Sequence, residues 1–229
     1  MGVLKKIGLT LSMIKFHHTV FALPFALISM FWAAGGLPSM RTLFLILLAM
    51  VSSRSLAMTA NRIADIEFDK RNPRTMDWPL ASGELSLSFA WLFLSLNLVL
   101  FVLSAYLLND LCFYLSPVAL LFLLGYSFTK RFTWLCHIIL GFTDGIAPMG
   151  AWLAVTGKWA LPPMWLSLAV TFWVAGFDVL YSIQDIDIDK AEGLYSIPSR
   201  FGIKASLWVS AVLHLLTFVC YGLAAWSFG

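Results

Sequence analysis

The sequence predicts an all-α, polytopic membrane helix bundle, and three observations predict it. Of 229 residues, 60% are hydrophobic and only 12% are Asp, Glu, Lys or Arg, against about 25% charged in a soluble domain. The apolar residues gather into runs close to the ~20 that a helix needs to cross the hydrocarbon core. The basic residues flank those runs mainly on one side. A soluble globule of this size has no means of hiding so much apolar surface, so soluble enzymes and binding modules are excluded.

Seven spans follow one another as a single domain over 1–229. The first, 16–40, carries no Asp, Glu, Lys or Arg, and a basic flank with Lys5, Lys6 and Lys15 precedes it. A short h-region with a small-residue cleavage site is missing there, which argues against a cleaved signal peptide. The second, 42–60, contains Arg54. Spans 85–108 and 111–129 are uncharged, 132–156 contains Asp144, and 159–177 and 205–229 are again uncharged. Backbone groups in lipid must bond within their own segment, so these spans are helices, and the short alternating segments of a barrel do not occur. Pro24, Pro117, Gly141, Gly145 and Pro148 mark kinks or close helix contacts. Cys112, Cys136 and Cys220 lie in or beside apolar runs with no close pairing and read as small buried hydrophobes rather than a disulfide framework or zinc site. His17 and His18 sit at the start of the first span as interfacial anchors. His137 and His214 have no metal-ligand spacing and read as packed or hydrogen-bonded.

Orientation follows from the basic residues. With the N-terminus in the cytoplasm, twelve Lys and Arg flank the cytoplasmic side, and only Arg41 and Lys158 flank the other. That asymmetry is the positive-inside pattern. It places two long loops, 61–84 and 178–204, on the cytoplasmic face, and these carry ten of the twelve acidic residues. The dispersal of the basic residues along membrane flanks argues against nucleic-acid recognition.

The two loops share a chemical device. IADIEFDK (63–70) aligns with IQDIDIDK (183–190) at five of eight positions, with Glu67 opposite Asp187. On a helix Asn61, Asp65 and Asp69 share a face, and Asp178, Asp185 and Asp189 form a second stripe flanked by Tyr181 and Asp187. Carboxylates four apart repel unless a cation sits between them. Two such clusters at a membrane surface point to a hard divalent ion, Mg²⁺, which binds through carboxylates and phosphate oxygens. The plainer alternative is a pair of acidic, solvated loops.

Arg54 precedes Asn61 by seven residues and so lies on the same face as Asn61 and Asp65. It either snorkels to the interface or lines a polar cavity beneath the aspartates. Asp144 either bonds across the bundle or faces that cavity, and the residues leave the choice open. Arg71, Arg74, Lys130, Arg131, Lys190 and Arg200 surround the same zone, as membrane flanks or as contacts for a phosphorylated lipid whose chain lies among the helices.

At these positions the chain resembles the UbiA superfamily of intramembrane aromatic prenyltransferases. Asn61, Asp65 and Asp69, followed by Arg74-Thr75 and Pro79-Leu80-Ala81-Ser82-Gly83, match the first signature. Asp178, Tyr181, Asp185, Asp187 and Asp189 match the second. Lys130-Arg131-Phe132-Thr133 and Arg54 match two further positions. Two residues depart from the pattern: Arg62 stands in the usual aspartate place, and Trp78 stands where arginine is usual. Members usually have nine spans against the seven here, so the resemblance also predicts that two C-terminal helices are missing. The resemblance is strongest to 4-hydroxybenzoate polyprenyltransferases and to the similar enzyme of futalosine-pathway menaquinone synthesis.

The resemblance implies Mg²⁺-dependent transfer of a polyprenyl group from its diphosphate to a small aromatic acceptor in ubiquinone or menaquinone biosynthesis, at a bacterial inner membrane. Asp65, Asp69, Asp185 and Asp189 are then the metal ligands, and Asn61 and Asp178 complete two polar walls. Tyr181 and Asp187 flank the second wall. Lys130, Arg131 and Arg74 neutralise the leaving group, and Arg54 contacts acceptor or diphosphate. Rival readings are a naphthoate-type acceptor, an ion-coupled transporter using Arg54 and Asp144, and an inactive shortened homologue.

Overall fold

The computed structural model describes residues 2–16 and 22–228. It is all helical there: α1 Val3–Met13, α2 Leu23–Ala34, α3 Met40–Ala64, α4 Ile66–Arg71, α5 Leu87–Leu108, α6 Asp110–Thr129, α7 Cys136–Thr156, α8 Leu161–Tyr181, a 3₁₀ turn Ser182–Asp185, α9 Ile186–Ala191 and α10 Ile197–Phe228. Six of these (α3, α5, α6, α7, α8 and α10) are long and apolar enough to cross a membrane. The chain is therefore a multi-pass membrane helix bundle.

The first span differs from its sequence reading. Its described part is the 12-residue α2, opened by Pro24 in the first turn, where the missing N–H is harmless, and closed by Gly35 at φ 62°. A separate helix, α1, precedes it. His17 and His18 lie outside the described residues.

The other spans pack against their neighbours in chain order, α3 against α5, α5 against α6, α6 against α7, α7 against α8 and α8 against α10, with α2 laid on α7. Outward faces are apolar: Trp91, Leu92 and Leu96 of α5, Leu121 of α6, and Trp208, Leu215 and Phe218 of α10 are all exposed. In a membrane that surface meets lipid. Inward positions are small or hydroxyl-bearing, including Ser29, Ser104, Ser206 and Ser210, which lets backbones approach.

Gly141 and Gly145 show the tightest approach. A Cβ on Gly141 would run into the Thr171 carbonyl and lie 2.9 Å from Ala175 Cβ; one on Gly145 would meet Thr171 Oγ1 and lie 2.7 Å from the Ser167 carbonyl. Pro117 and Pro148 sit inside α6 and α7. Pro117 cannot bond the Phe113 carbonyl, and Ser116 Oγ donates to it instead at 2.8 Å. After Pro148, the Met149 N–H turns to Ser167 Oγ at 3.1 Å, so the α7 ladder opens one turn beyond Asp144.

The two ends of the bundle differ. At one end Arg41 Nη2 donates to the Leu107 carbonyl at 2.8 Å, and Asn109 caps α6 while its amide donates to the Leu153 carbonyl at 2.9 Å. The other end gathers 61–84, 130–135 and 178–204. All three cysteines are free thiols; Cys220 is buried and Cys112 and Cys136 are partly exposed.

Candidate active site

The aspartate segments are not straight helical stripes. α3 stops at Ala64, and Asp65, at φ −100° and ψ 6°, joins it to the six-residue α4. Asp185, at φ −104° and ψ 7°, joins the 3₁₀ turn to the six-residue α9. The matched octapeptides therefore build the same joint twice: a membrane helix, an aspartate in the bridge region of backbone space, and a short helix. Across the first joint Asp65 and Asp69 turn to different cations, Lys130 and Arg62.

Both joints line one polar cavity of about 290 Å³ at the loop end of the bundle. Asn61, Asp65 and Asp69 form one wall and Asp178, Tyr181, Asp185 and Asp189 the other. Lys130 Nζ is 2.8 Å from Asp65 Oδ2, to which Asn61 Nδ2 also donates at 3.2 Å. Arg131 lies outside the lining but reaches the Ala64 carbonyl and comes within 3.7 Å of Asp65. Arg62 pairs with Asp69 at 3.3 Å. Burial raises the Asp69 carboxyl above the usual range, against the pull of Arg62 and with the push of Asp65.

The walls are tied directly. Arg74 grips Asp185 with two bonds, Nη2 to Oδ2 at 2.7 Å and Nε to Oδ1 at 3.0 Å, and also donates to Tyr181 Oη. Asn72 Nδ2 adds a third bond to Asp185, and Arg71 meets Glu192 at 2.8 Å. Asp189 accepts from Ser196 Oγ at 2.7 Å. Asp187 differs from its expected place beside the second cluster: it is exposed and outside the cavity lining, which Asp185 and Asp189, two residues to either side, do reach.

Arg54 and Asp144 resolve together. Arg54 Nη1 lies 3.6 Å from Asp144 Oδ1, and the pair forms the floor of the polar cavity. Both also line a second, apolar cavity of about 400 Å³ between α3, α5, α6, α7 and α8. Arg54 therefore faces an interior cavity, and Asp144 bonds across the bundle and faces the cavity at once. The two cavities meet at this ion pair.

Residues that the aspartate spacing does not mark complete the site. His137 Nε2 accepts from the Ile197 N–H at 3.2 Å, which places the ring proton on Nδ1, 2.7 Å from Asp178 Oδ2. A lone histidine in an apolar run carried no spacing that could have found it. Arg62 and Trp78, the two departures from the motif, touch: the guanidinium lies 3.8 Å above the indole centroid. Lys15 and Tyr126 also line the cavity. Lys15 arrives from the N-terminal segment, and only its place in a basic flank marked it.

Among the described residues no three His, Cys, Asp or Glu side chains converge as a ready metal cluster, since each cavity carboxylate is turned to its own cation, hydroxyl or, for Asp178, imidazole. The donor set is nevertheless all oxygen. Asp65 Oδ1 is buried without a hydrogen-bond partner, an uncommon and costly state that a hard cation relieves. The residues fit Mg²⁺.

Comparison with known proteins gives one consistent answer. A family model described as the UbiA prenyltransferase family matches residues 22–229. A 4-hydroxybenzoate octaprenyltransferase of Shewanella sp. (strain ANA-3) is 34% identical over 202 residues, which span 88% of this chain and 70% of that protein. Its counterpart in Shewanella oneidensis is 33% identical over the same shares. The apo structure of a UbiA homolog from Aeropyrum pernix K1 superposes with a TM-score of 0.87 at 35% identity, covering 93% of this chain and 80% of that one. A UbiA homolog from Archaeoglobus fulgidus, bound to DMAPP and Mg²⁺, gives a TM-score of 0.75 at 23% identity, covering 94% and 77%.

Proposed function

Because this chain belongs to the UbiA prenyltransferase family, we propose that it transfers a polyprenyl group from polyprenyl diphosphate to 4-hydroxybenzoate, in quinone biosynthesis at a bacterial inner membrane. One observation supports the reading: Asp65 and Asp185, at matched helix joints, both line one polar cavity that shares Arg54 and Asp144 with an adjoining apolar one. A diphosphate and an isoprenoid chain need those two environments in that order. The 4-hydroxybenzoate octaprenyltransferases among the relatives support the acceptor, and the positive-inside asymmetry supports a cytoplasmic N-terminus and cytoplasmic aspartate loops.

Asp65, Asp69, Asp185 and Asp189 would hold Mg²⁺, which when bound would supply charge compensation for a departing diphosphate. Lys130, Arg131 and Arg74 add cations where negative charge grows as the allylic carbon–oxygen bond breaks and its electron pair leaves with the diphosphate. To do so, Lys130 and Arg74 share themselves between their aspartates and the ligand. Asn61, Asp178 and Tyr181 hold the walls, with Asp178 fixed by His137. Arg54 keeps a buried Nε without a partner, a donor free for an acidic acceptor group. The apolar cavity keeps water from the allylic cation until a ring carbon beside the hydroxyl forms the new carbon–carbon bond and the hydrogen there leaves as a proton.

The test is transfer of labelled polyprenyl by purified, membrane-inserted protein with Mg²⁺ and 4-hydroxybenzoate, beside a naphthoate-type acceptor. Asp65→Asn and Asp185→Asn should each lower the rate by roughly 100-fold or more. Properly inserted wild-type protein that prenylates no aromatic acceptor overturns the enzyme reading, and preference for the naphthoate-type ring overturns the acceptor.

A further inference from the structure

Four of the five cations lining the polar cavity have a carboxylate: Arg54 has Asp144, Arg62 has Asp69, Arg74 has Asp185 and Lys130 has Asp65. The fifth is Lys15, whose ammonium makes no hydrogen bond or ion pair with the described residues, although its backbone N–H bonds the Ser12 carbonyl. Its Nζ rests 4.3 Å over the Trp78 ring, the same indole that carries Arg62 at 3.8 Å and Arg74 at 5.5 Å. Three positive groups thus crowd one aromatic ring, where the two nearest carboxylates are already engaged. A half-buried ammonium held among guanidiniums is unfavourable unless an anion joins it. Burial first, then Arg62 and Arg74, lower its pKa from 10.5 to about 8, with Asp69 and Asp185 opposing.

The backbone delivers this residue at a cost. Lys15 has φ 46°, the one positive φ outside glycine among the described residues, in a region that costs an L-residue roughly 1 kcal/mol or more. What holds it there is the segment before it. Met13 and Ile14 are buried against Met58 and Leu85, with Leu9 packed beside Phe89 and Phe93. Lys5 reaches Glu84 at 3.4 Å and Lys6 sits over Phe89. Val3, Leu4, Ile7 and Leu11 point outward, so α1 lies at the bundle's edge with an apolar face toward the membrane interface. Its last residues anchor in the bundle, and the chain then turns sharply and points one cation into the cavity.

We propose that Lys15 is a diphosphate-binding residue, an N-terminal contact on the donor that neither aspartate segment supplies. The inference rests on the prenyl-transfer reading. The group it awaits is a phosphate oxygen, of the prenyl diphosphate or of the diphosphate released. Trp78 is the platform that holds the stem in reach while the ammonium turns from the ring to the anion.

The experiment uses the full chain in lipid nanodiscs, comparing wild type with Lys15→Ala, Lys15→Met and Lys15→Arg. Calorimetry measures the affinity for inorganic diphosphate with Mg²⁺, and initial rates give KM for the prenyl donor and for the acceptor separately. Lys15→Ala and Lys15→Met should weaken diphosphate binding and raise the donor KM by roughly tenfold, as expected for one charge-assisted bond. The acceptor KM should stay unchanged, and Lys15→Arg should recover most of the loss. A raised donor KM with unchanged inorganic diphosphate affinity restricts the contact to the prenyl-bearing ligand. Lys15→Met retains the stem over Trp78, so a folding defect in Lys15→Ala does not blur the outcome. Wild-type affinity and donor KM in Lys15→Met overturn the proposal while leaving the prenyl-transfer reading intact. Failure of the wild type to bind diphosphate or transfer prenyl overturns both.

Discussion

One ring nitrogen decides how Asp178 is held. Because His137 Nε2 accepts the Ile197 N–H, its proton is on Nδ1 and donates to Asp178, so a single buried imidazole joins α7, α8 and the start of α10. His137→Phe removes both partners at once. It should destabilise the protein by about 2–3 kcal/mol, the cost of a buried N–H left unpaired and a carboxylate without its donor, and this is read as a lowered Tm in detergent; an unchanged Tm would show that the ring is dispensable. The aspartates themselves were legible, since spacing at four and seven puts them on one side of a chain segment. His137 was read as packed or hydrogen-bonded, and it is both, but its partners were not legible, because a hydrogen bond to a backbone N–H sixty positions away leaves no trace in local pattern. Arg62 and Trp78 were legible only as departures. That the guanidinium lies on the indole, with Lys15 over the same ring, is a property of three chain segments meeting, and it puts a cation beside the position where the motif has arginine.

At the scale of elements, the spans were read from length and apolarity; five of them are helices within four residues of the expected bounds, while α10 begins eight residues before the expected 205, its first turn joined to the rest through Gly202 at φ 81°. The joints at Asp65 and Asp185 were missed, since periodicity describes a helix and carries no information about where it breaks. The glycines carry a sharper consequence. Gly141 faces the Thr171 backbone carbonyl and Ala175, while Gly150, nine residues on in the same α7, has nothing within 4 Å of where a Cβ would stand. Gly141→Ala should therefore force α7 away from α8 at a cost of about 1–3 kcal/mol, and Gly150→Ala should be neutral or slightly stabilising because alanine is the better helix former. Since α7 carries Asp144 and His137 and α8 carries Asp178, Gly141→Ala should also slow transfer. Equal thermal stability of the two variants would show that the close approach of α7 and α8 is not a constraint.

For the whole molecule, charge is the organising quantity. The end that gathers both aspartate joints also gathers most basic residues, whereas Arg41 and Lys158 lie at the other. In a cysteine-free background, a cysteine at Lys190 should react only with reagent on the cytoplasmic side and one at Lys158 only with reagent outside; the reverse pattern would invert the orientation. Within the cavity five cations face six carboxylates, and nearly every charge is already paired. Ligand-free protein is thus internally compensated. A diphosphate alone brings negative charge into a cavity that already has an excess of it, and Mg²⁺ alone competes with Lys130 and Arg74 for their aspartates. Each should bind weakly by itself, and the two should bind strongly together. Binding at about one hundred times the Kd stabilises the folded state by about 2.7 kcal/mol, a rise of roughly 5–10 °C in Tm for a chain of this size. That rise should appear with Mg²⁺ and inorganic diphosphate together, fall away with EDTA, and be small with either component alone. Asp65→Asn should abolish most of it by removing the carboxylate whose Oδ1 lacks a hydrogen-bond partner. Equal stabilisation by diphosphate with and without Mg²⁺ would show that the protein's own cations suffice and that the carboxylates have a structural task alone.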